Sequence, residues 1–131
     1  MSRTLNKATI IGFLGKDPET RRTQEGDPVV SFSVATSERW KNKETGERKE
    51  RKEWHKVVIY NIPLCKIAEE YLKKGSHVYI EGQLQTRSWT SEDGHENYRT
   101  EIVLQPYRGV LNLLDPNNAP DNADESESDQ S

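Results

Sequence analysis

The segment from residue 77 to residue 90 alternates between two kinds of side chain over an unusual length. In an extended chain alternate side chains share a face, so one face carries Val78, Ile80, Gly82 and Leu84, and the other carries Gln83, Gln85, Arg87 and Trp89. This periodicity predicts one long strand. Gly82 allows the strand to bend, as closure into a small β-barrel requires.

Four other segments are predicted to be strands, and one is predicted to be a helix. The strands are expected at residues 4–14, 29–37, 54–60 and 98–104, with a bulge or bend at Gly12. Pro63 suits the first turn of a helix, and the apolar residues after it recur at helical spacing. One buried stripe is therefore expected to hold Leu64, Ile67, Ala68, Tyr71 and Leu72, with Lys73 and Lys74 in the last turn and Gly75 as the stop.

The order of these elements indicates the fold. Three strands, a helix and two further strands are the layout of the OB-fold, whereas a parallel sheet would need helices between all the strands. The sequence therefore predicts an all-β protein, a five-stranded OB-fold barrel with one helix between strands 3 and 4, over residues 1–112. Residues 113–131 are predicted to form a disordered acidic tail, because they offer almost nothing to bury.

The charge divides the chain into two parts. Residues 1–114 hold 19 Lys and Arg against 16 Asp and Glu, a net +3, and residues 115–131 hold six acids and no base. The overall charge of −3 therefore conceals a basic domain.

The single cysteine, Cys65, excludes an internal disulfide and a multi-cysteine metal site. No apolar run is long enough for a signal sequence or membrane helix. We expect a cytoplasmic, nucleoid-associated protein that makes no membrane contact.

Residues 40–60 combine aromatic side chains with positive charge. In the predicted third strand Trp54, Lys56 and Tyr60 share a face, while His55 lies on the opposite face. Rings that stack on bases, beside cations that attract phosphates, are what single-stranded nucleic acid needs from a sheet. Taken alone, the stretch is equally compatible with strand packing and a solvated charged loop. Trp40 is expected just beyond the second strand, before a long connection over residues 41–53.

Several runs of sequence, in consistent order and spacing, resemble one family. They are Asn6-Lys7, Gly-Lys-Asp-Pro-Glu at 15–19, Ala-Thr-Ser-Glu-Arg-Trp at 35–40, Glu-Trp-His-Lys-Val-Val at 53–58, Tyr-Leu-Lys-Lys-Gly-Ser at 71–76 and Val-Tyr-Ile-Glu-Gly-Gln-Leu at 78–84. Together they resemble the bacterial-type single-stranded DNA-binding proteins over roughly residues 1–105.

The resemblance implies a homotetramer that wraps single-stranded DNA without sequence preference during replication, recombination and repair. It implies that the bases stack on Trp40, Trp54, Tyr60 and Trp89. His55 matches a histidine at a family subunit contact. His77 occupies a position near the contact between dimers where the family commonly has Gln, and a histidine there predicts pH-sensitive assembly.

Two further expectations concern charged residues. Phosphate contacts are predicted for Lys7, Lys43, Lys49, Lys56, Lys74 and Arg87. Family members usually end in Asp-Asp-Asp-Ile-Pro-Phe, but this chain ends in Glu-Ser-Glu-Ser-Asp-Gln-Ser. Without an apolar anchor, the tail argues against recruitment of replication and repair proteins through its end.

Other function classes make different demands on the sequence. The histidines His55, His77 and His95 lack the cysteine or carboxylate spacing of a metal site, and no phosphate loop or nucleophile motif is present. No enzymatic activity, metal or cofactor is therefore expected. An OB-fold module for RNA or oligosaccharide, or a protein-assembly adaptor, remains an alternative, to be separated from DNA binding by competition and by tryptophan quenching.

Overall fold

The computed structural model describes residues 3–115. Within that range it contains β1 (Ala8–Leu14), β2 (Glu19–Arg22), β3 (Pro28–Lys41), β4 (Arg48–Ile59), α1 (Ile62–Tyr71), β5 (His77–Thr90), β6 (Glu96–Leu104) and β7 (Val110–Leu113). Five strands follow the order β1-β3-β4-β6-β5, and β1 pairs again with β5, which closes a barrel. The pairing of β4 with β6 is parallel, and α1 connects the third barrel strand to the fourth. The predicted OB-fold barrel is confirmed.

The barrel core comes from the strand faces that the alternation predicts. Val30, Phe32 and Val34 of β3 are buried and lie in register with Ile59, Val57 and His55 of β4. Val78 and Ile80 of β5 and Ile102 and Leu104 of β6 complete the interior, α1 adds Cys65 and Ala68, and Leu72 follows directly after the helix. Removing these apolar side chains from water is the main stabilising term for so small a domain.

Two glycines lie where a strand changes its partner. β1 pairs with β5 up to Phe13 and with β3 at its last two residues, and a Cβ on Gly12 would lie 2.2 Å from the carbonyl oxygen of Ala35. β5 pairs with β1 up to Gly82 and with β6 from the next residue onward, and a Cβ on Gly82 would lie 2.6 Å from the carbonyl oxygen of Val103. The missing side chains therefore permit the close approach that closes the barrel.

The helix is shorter than its sequence predicts. It ends at Tyr71, so Lys73 and Lys74 lie beyond its last turn, and Tyr71 is 42% exposed rather than part of a buried stripe. The chain leaves the helix because Leu72 adopts an extended conformation, and Gly75 then turns back with φ 91° to donate its N–H to the Leu14 carbonyl. The C-terminal stop predicted at Gly75 is thus wrong for the helix, although that glycine makes the following turn.

The strand boundaries also differ from the predictions. β3 runs through Lys41 and β4 begins at Arg48, so the connection is residues 42–47 and Trp40 lies inside a strand. The paired ends of β3 and β4, residues 37–41 and 48–53, are exposed on both faces. Their sequence therefore lacks the apolar alternation that marks a half-buried strand. β1 begins at Ala8 because Asn6 pairs through its side-chain amide, which bonds both the N–H and the carbonyl of Leu84 at 2.8 Å. The short strands β2 and β7 were not predicted, and of the predicted acidic tail residues 116–131 lie outside the described range.

Candidate nucleic-acid interface

Two antiparallel ribbons project from the barrel. Residues 36–41 and 48–53 pair only with each other and form the first arm, and residues 86–90 and 96–100 form the second arm in the same way. Asn42 closes the first arm by accepting the N–H groups of Glu44 and Thr45 through its side-chain oxygen, and Gly46 supplies a φ of 77°.

The second arm is closed by a carboxylate. Asp93 accepts hydrogen bonds from the Ser91 hydroxyl and the His95 N–H, and these lower the pKa of Asp93. Gly94 completes this turn with a φ of 87°. Both arms therefore end in turns that are closed by side-chain hydrogen bonds.

The four aromatic side chains predicted to stack on bases are all open to solvent. Their exposed fractions are 45% for Trp40, 56% for Trp54, 42% for Tyr60 and 41% for Trp89. Large aromatic rings are normally buried for their packing energy, and these four are among eight aromatic side chains of residues 3–115 that are at least 41% exposed, so they are candidates for an interaction surface.

The two indoles of the first arm lie on opposite faces of its ribbon. Trp40 is in register with Lys49 of β4, so the two side chains share a face. Trp54 is five residues after Lys49 on the same strand, and an odd separation places it on the other face. Trp89 lies on the second arm in register with Asn97, and Tyr60 follows β4 directly, where its N–H donates to Leu104. The structure thus distributes the rings over both arms and the end of the barrel, rather than along one flat sheet.

A groove of about 460 Å³ runs beside Trp54. Ser31 and Ser33 of β3 leave room for it because their side chains are small, and its charged lining residues are Lys16 and Lys56 together with Asp17 and Glu19. Gly15 packs against the indole, since a Cβ there would lie 2.4 Å from the six-membered ring of Trp54. This glycine therefore allows the ring to lie against the loop that follows β1.

Each tryptophan has a cation over its ring. Arg51 lies 5.9 Å from the centroid of Trp40, Lys52 lies 5.9 Å from that of Trp54, and Arg87 and Arg99 lie 5.6 and 6.0 Å from that of Trp89. Within this range cations attract the ring electrostatically. The same arrangement places a positive charge next to any base that stacks there.

Sequence reasoning missed three of these four cations. Lys52 was detectable, because it stands two residues before Trp54 on one strand and so shares its face. Arg51 and Arg99 contact rings on a neighbouring strand, and only the strand register reveals that. Instead of Lys52, the sequence predicted Lys56 as the partner of Trp54, and Lys56 lines the groove.

Three of the six predicted phosphate-binding residues form ion pairs. Lys7 lies 2.8 Å from Glu81, Lys49 lies 3.3 Å from Glu47 and Arg87 lies 3.0 Å from Glu101. The hydrogen bond and charge of Glu81 raise the pKa of Lys7, and the pKa of Glu81 is lowered in turn. Within residues 3–115, the side-chain ammonium groups of Lys43, Lys56 and Lys74 form no ion pair and remain available to phosphates, although the backbone N–H of Lys74 donates to Asp17 at 2.8 Å.

Arg87 has a second contact that the sequence did not reveal. Its partner Glu101 is a buried acid, only 5% exposed, in the β6 strand next to it. A buried carboxylate is costly unless it is paired, so this bond ties the arginine to the barrel while its guanidinium lies over Trp89. Arg87 is therefore held in place before any ligand arrives.

The two histidines predicted at subunit contacts lie on different surfaces. His55 is half-buried on the face opposite Trp54, as its parity predicts, and its Nε2 lies 2.9 Å from the Thr36 hydroxyl in a hydrogen bond. His77 stacks on Phe13 with ring centroids 4.4 Å apart, on an outer face where Ile11 and Phe13 are more than half exposed. Their place at subunit contacts stays a prediction.

Among residues 3–115, no group of three or more His, Cys, Asp or Glu side chains is arranged to hold a metal ion. No helix in that range has the length and apolarity needed to cross a membrane.

Comparison with known proteins agrees with this geometry. The profile of the single-strand binding protein family matches residues 5–110. A single-stranded DNA-binding protein of Rhizobium meliloti is 50% identical over 115 residues, which cover 88% of this chain and 66% of that protein. One of Rickettsia felis is 48% identical over 126 residues, covering 96% and 83%. Among solved structures, the Plasmodium falciparum SSB in complex with ssDNA has a TM-score of 0.79 and 36% identity, covering 88% of this chain and 99% of that one.

Proposed function

This chain belongs to the single-strand binding protein family, and we propose that it binds single-stranded DNA without sequence preference. Bases stack on Trp40, Trp54, Tyr60 and Trp89, and nearby cations neutralise the phosphates. Every base has a π-face, so stacking needs no base identity and contributes about 1–3 kcal/mol per base. Duplex DNA hides those faces within its own stack, which accounts for selectivity for single strands.

One observation carries the proposal: four aromatic rings are 41–56% exposed, and three of them have a cation within 5.6–6.0 Å of the ring centroid. Because Trp40 and Trp54 project from opposite faces of the first arm, a strand that contacts both passes around the arm. The arrangement therefore favours wrapping over binding along a flat face.

The wider assignment follows from family membership. We propose that the chain acts in replication, recombination and repair, in the cytoplasm with the nucleoid, as a homotetramer with His55 and His77 at subunit contacts. The exposed Ile11 and Phe13 beside His77 support that part, because unpartnered apolar side chains on a strand face are typical of interfaces. A tetramer mass that is unchanged between about pH 5.5 and pH 8 would remove the predicted pH sensitivity of His77.

The decisive experiment is a titration of intrinsic tryptophan fluorescence with poly(dT) at two salt concentrations. Stacking quenches the indoles, and counterion release lowers log affinity against log salt by about 0.7 per phosphate contact. Poly(rU) and a glycan serve as competitors, and duplex DNA of equal length is the control. Absence of quenching with poly(dT) would favour an assembly adaptor, and stronger competition by RNA or glycan would redirect the assignment.

A further inference from the structure

The connection between β6 and β7 presents a tyrosine in an unusual backbone conformation. Tyr107 has a φ of 63°, and it is the one non-glycine residue with positive φ among residues 3–115. The N–H of Arg108 donates to the carbonyl of Gln105 at 3.0 Å, which makes a turn with Pro106 and Tyr107 at its centre. Proline before a residue of positive φ is the pattern of a type II turn, whose second central position normally takes Gly or Asn. A bulky side chain there is strained.

Nothing in the packing of the domain explains the ring of Tyr107, which is fully exposed to solvent. The turn itself is held from elsewhere: the side-chain amide of Asn61 donates to the carbonyl of Arg108 at 3.3 Å, and its oxygen accepts the N–H of Leu64 at the start of α1. The backbone is thus held by Asn61 while the strained residue extends its ring into water. Strain that survives at an exposed, unpacked position points to a function for the side chain.

Tyr107 and Tyr60 line the same groove, which measures about 540 Å³. Its other walls include Ile62, Pro63 and Pro106, and one carboxylate, Asp27, lies among the lining residues. A groove lined by apolar and aromatic residues suits a flat aromatic group, and the carboxylate disfavours a phosphate inside it. Tyr60 belongs to the proposed DNA surface, so the groove continues that surface over the end of the barrel.

We propose that Tyr107 is a further base-stacking residue, and that the groove between Tyr60 and Tyr107 receives a nucleobase of the same single-stranded DNA. The bound strand leaves the barrel past the start of α1, with its phosphates outside the groove. The side chain of Arg108 has no carboxylate partner among the described residues and supplies a cation next to the turn. This inference rests on the proposed function and extends the DNA path by one aromatic residue.

The test uses the full chain and three variants. Tyr107→Asn removes the ring and places a residue that tolerates positive φ in the turn, Tyr107→Phe keeps a ring, and Tyr71→Ala removes an exposed tyrosine that does not line the groove. Affinity is measured for a length series of oligo(dT). Stacking of one base predicts that Tyr107→Asn lowers affinity about 5-fold or more for the longer oligonucleotides, while the other two variants bind as the parent chain does.

Two further readouts separate a binding role from a structural one. The melting temperature of Tyr107→Asn is expected to equal or exceed that of the parent chain, and a fall would overturn the inference. Oligo(dT) substituted with 5-iododeoxyuridine, irradiated on the parent chain, is expected to crosslink to Tyr107. Two outcomes would refute the inference and leave the proposed function intact. One is crosslinking at Trp54 with none at Tyr107, and the other is unchanged affinity in Tyr107→Asn. A parent chain that binds no oligo(dT) would refute the proposed function itself.

Discussion

Replacing Trp54 by alanine separates the contribution of one ring to DNA binding from its contribution to folding. The indole is 56% exposed, so less than half of its surface is covered in the free protein. Of about 250 Å² for a tryptophan side chain, roughly 100 Å² is then lost from packing, worth about 2.5 kcal/mol of folding stability as an upper estimate. The exposed part is what a base covers, and its loss should weaken binding by about 1–3 kcal/mol, a factor of about 5 to 150.

The assay is fluorescence titration of the remaining tryptophans with poly(dT) over a range of salt, at a temperature where urea unfolding shows each variant to be folded. Trp54→Ala removes no charge, so its plot of log affinity against log salt should lie below the parent line and parallel to it. Trp54→Phe is the matched control, because it keeps a ring that stacks. Equal affinity in Trp54→Ala, or a changed salt slope with no downward shift, would refute the role given to this indole.

Three further predictions test the other parts of the surface and the barrel. Lys52→Gln should reduce the salt slope by about 0.7, because one phosphate contact is lost; an unchanged slope would show that Lys52 serves only the ring beside it. Arg87→Ala should destabilise the fold by about 1–3 kcal/mol in urea unfolding, because it strands the buried carboxylate of Glu101; adding Glu101→Gln should recover part of that loss, and no recovery would contradict the pairing. Gly12→Ala should unfold or strongly destabilise the domain by circular dichroism, since its Cβ would lie 2.2 Å from the Ala35 carbonyl oxygen; a stable variant would show that the strands can separate there.

The strands of the barrel could be recognised from the sequence because a half-buried strand alternates apolar side chains on its buried face with polar side chains on its exposed face. Val30, Phe32 and Val34 alternate with small polar residues, and the burial of all three confirms that face. The glycines at 12 and 82 lie where β1 and β5 change partner, and a missing Cβ is visible in the sequence. The first arm carried no such pattern, since both of its faces are solvated, and the connection predicted at residues 41–53 is largely strand.

By itself, the sequence determined which side chains are aromatic and charged, the strand faces of the barrel and the exposed position of Trp54, because these depend on neighbours one or two residues away. Only the tertiary structure decided which groups meet across strands. The register of β3 and β4 places Arg51 over Trp40, and the pairing of β1 with β5 brings Lys7 next to Glu81. The groove lined by Tyr107 forms where the end of β6 lies close to the start of α1. Such contacts follow from how the barrel closes, which local patterning does not encode.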